Sequence, residues 1–393
     1  MKRLYKCIGA VLALALLTGC SGGSIYTNYR EVEQLMIIQT MGFDKKGNDI
    51  TVSVSTGNSG GGNSDSGQGG DSGGSGSAGS AKTSRLSAKA PSITLAQEKI
   101  QDYSASEELF FAHTSYILIG EDTARVDISR FLEYVERSIQ IRLDVPVFIV
   151  SGDRADKLVL GAGGKDYDAT NVLKSLERNL EKRGSCPINS VGDIAASLNA
   201  NGTALVSAVR CVEAGNSLTE AKKGELTALP DGCAVIKDGR MVGHIDEIAT
   251  LGVMLIQNKT GPCPIVLESG VTVQLDKCRC EVKPIRENGR VSGADISLDI
   301  SAALREADKE DLKTFGKELK SYIEKAVGSA LDSAVSLNCD FIQLGSIMEQ
   351  GSPLELHGLA ADYGGDIQNT RYNINVKAEV LRSFDIENTE DSK

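Results

Sequence analysis

Residues 234–245 read Ala-Val-Ile-Lys-Asp-Gly-Arg-Met-Val-Gly-His-Ile. Ala234 to Ile236 and Met241 to Ile245 are strand-like. Asp238-Gly239 between them is the dipeptide that tolerates the two successive positive φ angles of a type I′ hairpin. An antiparallel hairpin at this place argues against a purely parallel α/β chain. Upstream, Thr203 to Val212 is a further strand, so residues 191–262 are expected to form a small strand-rich unit. Its near boundary is marked by the Gly, Ser, Pro and Asn residues of Arg183 to Asn201. Downstream of Pro264, strands are expected at about 265–275, 277–286 and 291–303, with a turn at Glu287-Asn288-Gly289. A long helix follows at about 308–336, its apolar face formed by Leu312, Phe315, Leu319, Tyr322, Ile323, Ala326, Ala330 and Leu331 at helical spacing. Tyr372 to Val380 closes the chain as a strand, making 263–393 a C-terminal domain.

The N-terminal part, 20–190, alternates the two periods. Leu35 to Ile38 leads an apolar stretch to Asp44, and Ile50 to Val54 alternates as a strand does. Thr94 with Gln97 is expected to form a capping box for a helix to Tyr103, with Leu95, Ala96 and Ile100 inward. His113 to Gly120 and Val145 to Val150 read as strands. Between them Asp127 caps a helix with the stripe Ile128, Phe131, Leu132, Val135 and Ile139. Between Gly57 and Ser80, 18 of 24 residues are Gly or Ser. Such a tract buries too little to offset ordering and spans roughly 25–30 Å as a coil. Because Ile50 to Val54 alone is too small for a domain, 57–80 is read as an expanded loop inside the first domain. The fold class is therefore α+β: three mixed α/β domains with mostly antiparallel sheets.

Lys2, Arg3 and Lys6 precede the apolar run Ile8 to Leu17, which is too short to span a bilayer and has the shape of a secretory signal. It ends in Leu17-Thr18-Gly19-Cys20, which resembles a lipobox. Residues 1–19 are then removed and Cys20 takes a diacylglyceryl group; the alternative is an ordinary signal with an incidental cysteine. Cleavage removes three positive charges, taking the formal charge from −11 to −14. No basic patch accompanies this charge, so nucleic-acid partners are excluded, and an anionic leaflet offers no attraction. Membrane attachment would rest on lipid, at about 0.8 kcal/mol per buried CH₂.

Catalytic and metal constellations are scarce. His113, His244 and His357 have no second ligand at metal spacing, and His113 beside a strand reads as structural. Cys278-Arg279-Cys280 places two thiols on one strand face but lacks a second pair to complete four ligands. Gly161-Ala162-Gly163-Gly164-Lys165 fails as a phosphate loop: Val159 stands where its first glycine belongs and Asp166 where magnesium needs a hydroxyl. No catalytic residues, metal or cofactor are assigned. Beyond Cys7 and Cys20, seven cysteines remain at 186, 211, 233, 263, 278, 280 and 339; their pairing is open.

Several segments, in order behind the lipobox, carry a resemblance. They are Arg30-Glu31 with Met41-Gly42-Phe43-Asp44; Glu108 to His113 with Ile117 to Glu121; Arg142 with Val145-Pro146-Val147; Gly232 to Lys237 with Met241-Val242-Gly243; and Asp340 to Gly345. The chain resembles the C subunits of spore germinant receptors, the Ger(x)C lipoprotein family. It departs from the family's usual pattern in having Ser21-Gly22-Gly23 after the lipid cysteine, no Trp and a longer Gly/Ser tract. The resemblance implies three mixed α/β domains and a non-catalytic, lipid-anchored subunit on the outer face of the inner spore membrane. It also implies partnership with integral membrane A and B subunits in a nutrient receptor. The competing readings are a solute-binding lipoprotein of a transport system and a secreted hydrolase. The first expects two doubly wound lobes, the second motifs that are missing here.

Overall fold

A computed structural model describes residues 34–57, 83–104, 107–161, 167–184, 186–213, 226–287, 290–306, 311–351, 367 and 370–381. The architecture is α+β with mixed, mostly antiparallel sheets. The larger sheet is built on β1 (Leu35–Lys46), which pairs antiparallel with β2 (Asp49–Thr56), itself flanked by β3 (Arg85–Ala90). On its other side, β1 runs parallel to short β4 (Glu108–Phe110) and to β5 (Tyr116–Gly120), and β5 runs parallel to β6 (Val147–Ser151). The sheet then continues through β7 (Thr203–Glu213), parallel to β6, and the antiparallel pair β8 (Leu226–Lys237) and β9 (Arg240–Ile245). The boundary expected at 190–191 therefore falls inside one continuous sheet. Among the described residues three helices precede β6: α1 (Ile93–Tyr103), α2 (Glu121–Val126) and α3 (Ser129–Glu136).

Every residue of β5 is buried, because both faces of the sheet are covered. Ile117 and Ile119 join a core with α1, α3 and α6 (Val191–Asn201), whereas Tyr116 and Leu118 join the opposite core with α4 (Ala155–Leu160), α5 (Ala169–Arg183) and α7 (Glu247–Ile256). A strand covered on both faces reads as a continuous apolar run rather than an alternating one. The second core continues into the smaller sheet, β10 (Pro264–Val266), β11 (Thr272–Glu287), β12 (Arg290–Glu306) and β13 (Arg371–Leu381), and into the long helix α8 (Leu312–Leu337).

The turn at 238–239 has the expected conformation, with φ of 49° at Asp238 and 75° at Gly239. In α8, Phe315, Leu319, Ile323, Ala326, Ala330 and Leu331 are buried as their spacing requires. Other expectations shift. Ser92, not Thr94, caps α1 by accepting from the Leu95 N–H at 3.2 Å, and Leu95 itself is exposed while Ile93, Ala96 and Ile100 turn inward. Helix α3 stops at Glu136, so Ile139 leaves the stripe and stands 104% exposed, while Phe131, Leu132 and Val135 stay buried. The strand expected at 265–275 divides into β10 and the start of β11, and β11 runs on through the strand expected at 277–286, with an irregular register between Leu275 and Lys277. The inward residues change there from Val273 and Leu275 to Cys280, which is how a β-bulge re-aims side chains. Most of the Gly/Ser tract, Cys20 and His357 lie outside the described residues.

Candidate functional site at the carboxyl ends of the parallel strands

At the carboxyl ends of β1 and β5, three residues of the quoted segments come together: Asp44, Gly120 and Glu121. Asp44 continues β1 after buried Phe43, and its carboxylate turns into the protein at 3% exposure. Its two oxygens accept the N–H groups of Ala155 and Asp156, each at 2.9 Å. These donors open α4, whose first-turn N–H groups have no partner within the helix. Burial raises the Asp44 pKa above the ordinary carboxylate value; the two backbone donors act against that shift. Arg154 approaches Asp44 at only 4.0 Å and spends its guanidinium on Asp156, with Nε 3.0 Å from each carboxylate oxygen.

Glu121 follows Gly120 directly. Its carboxylate accepts the Gly152 N–H at 2.6 Å and the Arg125 guanidinium at 2.6 and 3.0 Å. Burial pushes its pKa up, but the Gly152 amide and Arg125 outweigh that, and the net position is below the usual glutamate value. The next turn is pinned as well: the Thr123 hydroxyl accepts the Lys45 N–H at 2.7 Å. Each acid here is engaged by a fixed donor. The cluster ties the β5–α2 and β6–α4 connections to β1, and its chemistry is positional.

Asp340 repeats the device at the far end of the chain. It is buried, it follows α8, and its two oxygens accept the N–H groups of Leu344 and Gly345, both at 3.0 Å, at the start of α9 (Leu344–Gly351). Burial raises its pKa against those amide bonds. Thr203 on β7 donates to the Asp340 carbonyl at 3.2 Å, and Lys237 on β8 donates to the Asn338 carbonyl at 2.6 Å. The Asp340 to Gly345 segment is thus fastened to the hairpin strands.

The remaining sequence candidates are dispersed. His113 is exposed, its ring 5.7 Å from that of Phe110. His244 on β9 bonds the Asp231 carbonyl and lies 3.5 Å from the Asp231 carboxylate. Cys278 and Cys280 lie on β11, and Asn258 brackets Cys280 by accepting its N–H at 2.6 Å and donating to its carbonyl at 2.9 Å. Gly161 follows α4 with φ of 69°, and a Cβ there would meet the Tyr167 ring at 2.4 Å. That fits a turn after a short helix; residues 162–166 lie outside the described residues. Among the described residues no three His, Cys, Asp or Glu side chains gather for a metal, and no helix is long and apolar enough to cross a membrane. The bridging role of Asp44 was invisible in sequence, since its amide partners lie 111 and 112 residues away.

Residues 28–210 match the family model for the spore germination protein N-terminal domain, and residues 231–384 match that for the spore germination B3/GerAC-like C-terminal domain. The chain is 23% identical over 357 residues to the putative spore germination protein YfkR of Bacillus subtilis (strain 168), covering 86% of each chain. It is 24% identical over 375 residues to spore germination protein KC of the same organism, covering 88% of each. The crystal structure of the GerBC protein superposes with a TM-score of 0.52 at 14% identity, covering 87% of this chain and 96% of that one. That likeness establishes a shared fold.

Proposed function

The chain belongs to the spore germination protein family whose N- and C-terminal domain models it matches, and from that premise we propose that it is the lipid-anchored, non-catalytic C subunit of a nutrient germinant receptor. The single observation that carries this reading is the match to both models, in order, over 28–210 and 231–384. In this reading Cys20 bears the lipid, and the folded part lies on the outer face of the inner spore membrane. It assembles there with two integral membrane subunits, A and B. The lipobox segment Leu17 to Cys20 supports the anchor. The carboxylate clips at Asp44, Glu121 and Asp340 suit a scaffold role, because they spend charge on holding connections in place.

Affinity capture from detergent-solubilised spore membranes tests the assembly. Recovery of two integral membrane proteins, one of them many-spanning and permease-like, is the expected result. Recovery of an ATPase and permease pair would instead identify a solute-binding lipoprotein, and recovery of no membrane protein would remove the receptor reading.

A further inference from the structure

Cys186 and Cys233 are 47 residues apart in sequence, yet their sulfurs lie 3.6 Å apart. Cys263 and Cys278, by contrast, rest their thiols on the backbone carbonyls of Pro264 and Leu255. The pair occupies a defined place. Cys233 on β8 is the register partner of Ser207 on β7, and Cys186 lies over both, its Sγ 3.4 Å from Ser207 Oγ and 3.5 Å from the Gly232 carbonyl. The segment carrying Cys186 is fastened from three sides. Ser207 donates to the Pro187 carbonyl, the Asn189 side-chain amide donates to the Leu205 carbonyl at 2.7 Å, and the Val147 N–H donates to the Asn189 carbonyl at 3.1 Å. Gly232, next to Cys233, has φ of 66°, and a Cβ there would stand 2.0 Å from the Ile245 carbonyl oxygen, so the β8 backbone is equally fixed. Both sulfurs are therefore held in position by the sheet. An S–S bond is about 2.05 Å long, so closure needs a relative sulfur movement of roughly 1.5 Å, on the scale of a side-chain adjustment.

We propose that Cys186 and Cys233 are joined by a disulfide in the exported chain, with a low-molecular-weight disulfide as the oxidant. The Cys186 thiolate attacks one sulfur of the oxidant R–S–S–R, forming a mixed disulfide and releasing one thiolate RS⁻. The Cys233 thiolate then attacks the Cys186 sulfur and releases the second RS⁻. The two cysteine protons end on two RSH, and two electrons pass from the cysteine pair to the oxidant. Cys186 is the first attacker on geometry: it retains 8% exposure where Cys233 has none. Its thiolate is also favoured by the hydrogen bond it receives from Cys233, whose own thiol burial pushes up. The bond would close a long loop and fasten the segment between α5 and α6 to β8, the strand beside the β9 edge of the larger sheet, which stabilises chiefly by restricting the unfolded chain.

The oxidising surroundings, though not the geometry, rest on the exported location inferred above, and the two are tested separately. The full chain, purified in the reduced state, is incubated with oxidised dithiothreitol or cystine, trapped with iodoacetamide and digested. The expected product is a Cys186–Cys233 linked peptide about 2 Da lighter than the two thiol peptides together, absent from Cys186→Ser and Cys233→Ser. Full alkylation of both residues, or linkage of either to another cysteine, overturns the proposal. Protein trapped directly in spore membranes should give the same linked peptide; both thiols free there overturns the bridge in the exported chain. Membrane fractionation of that sample reports independently on the location. Should the serine variants fail to fold, the wild type suffices: reductant should lower its thermal midpoint by roughly 4–8 °C. An unchanged midpoint counts against the bond.

Discussion

The Asp44 carboxylate lies directly over the α-carbon of Gly120, so that a methyl group there would come within 2.3 Å of Asp44 Oδ1 and 3.3 Å of the Ala155 amide nitrogen. Glycine is required at 120 for space, since no positive φ is involved. Gly120→Ala is expected to displace the carboxylate from the start of α4 and cost about 1–3 kcal/mol. Asp44→Ala would leave two amide donors unpaired, at about 1–3 kcal/mol for each that stays buried. Urea unfolding of the two single variants and the double variant checks the coupling. The double variant should lose clearly less than the sum, because both act on one contact.

Glu121 and Asp340 should respond oppositely to acid. The folded-state pKa of Glu121 lies below its ordinary value of 4.5, so its bonds to Gly152 and Arg125 contribute fully above about pH 4.5 and are lost as pH falls through the lower folded value. Glu121→Gln should therefore be less stable than wild type at pH 7 and converge with it in acid. Asp340 is raised above its ordinary value of 3.8, so the folded state binds its proton more tightly. Its ionisation weakens the fold as pH rises through the window above 3.8, and Asp340→Asn should lack that component. Chemical denaturation between pH 3 and 7 measures both slopes.

Helices α7 and α8 cross at Gly252. A Cβ there would stand 2.1 Å from the Ala326 carbonyl oxygen and 3.0 Å from the Ala330 Cβ. Gly252→Ala is expected to force the helices apart and destabilise by about 1–3 kcal/mol, although alanine is the better helix former. A stabilised variant in thermal unfolding would refute the close crossing.

The stripe beginning at Ile128 separates two residues of similar chemistry. Leu132→Ala should cost about 2–5 kcal/mol, and Ile139→Ala no more than about 0.5 kcal/mol, since one is in the core and the other is fully exposed. Equal losses would place residue 139 in the helix after all.

What could be read from the sequence follows from how local each signal is. The 234–245 hairpin and α8 were legible because Asp238-Gly239 and the spacing of Phe315, Leu319 and Ile323 act within one element. Helix α7 was not, because Ala249 to Ile256 are all buried and a helix covered on every side shows no apolar stripe. Helix α6 hid behind a composition that looked like a linker, though Ser190 and Asp193 form a capping box at its start. Helix α5 does carry a local signal, the stripe of Leu173, Leu176 and Leu180 behind the Asp168 cap. The clips at Asp44 and Asp340 differ in kind. Asp340 reaches amides four and five residues on, a local pattern, whereas Asp44 reaches across more than a hundred residues and becomes visible only once β1 and β6 share a sheet.

The receptor-subunit account is tested most directly by deleting the gene in its sporulating host and restoring it as wild type or as Cys20→Ala. Nutrient-triggered loss of spore refractility is then followed, with membrane fractionation of the same spores. The account predicts loss of the response to at least one nutrient on deletion and rescue by wild type. It further predicts a Cys20→Ala protein that is released from the membrane and rescues poorly. Unchanged germination across all nutrients in a strain stripped of its other germinant receptors' C subunits, or a Cys20→Ala protein that stays membrane-bound and rescues fully, would contradict it.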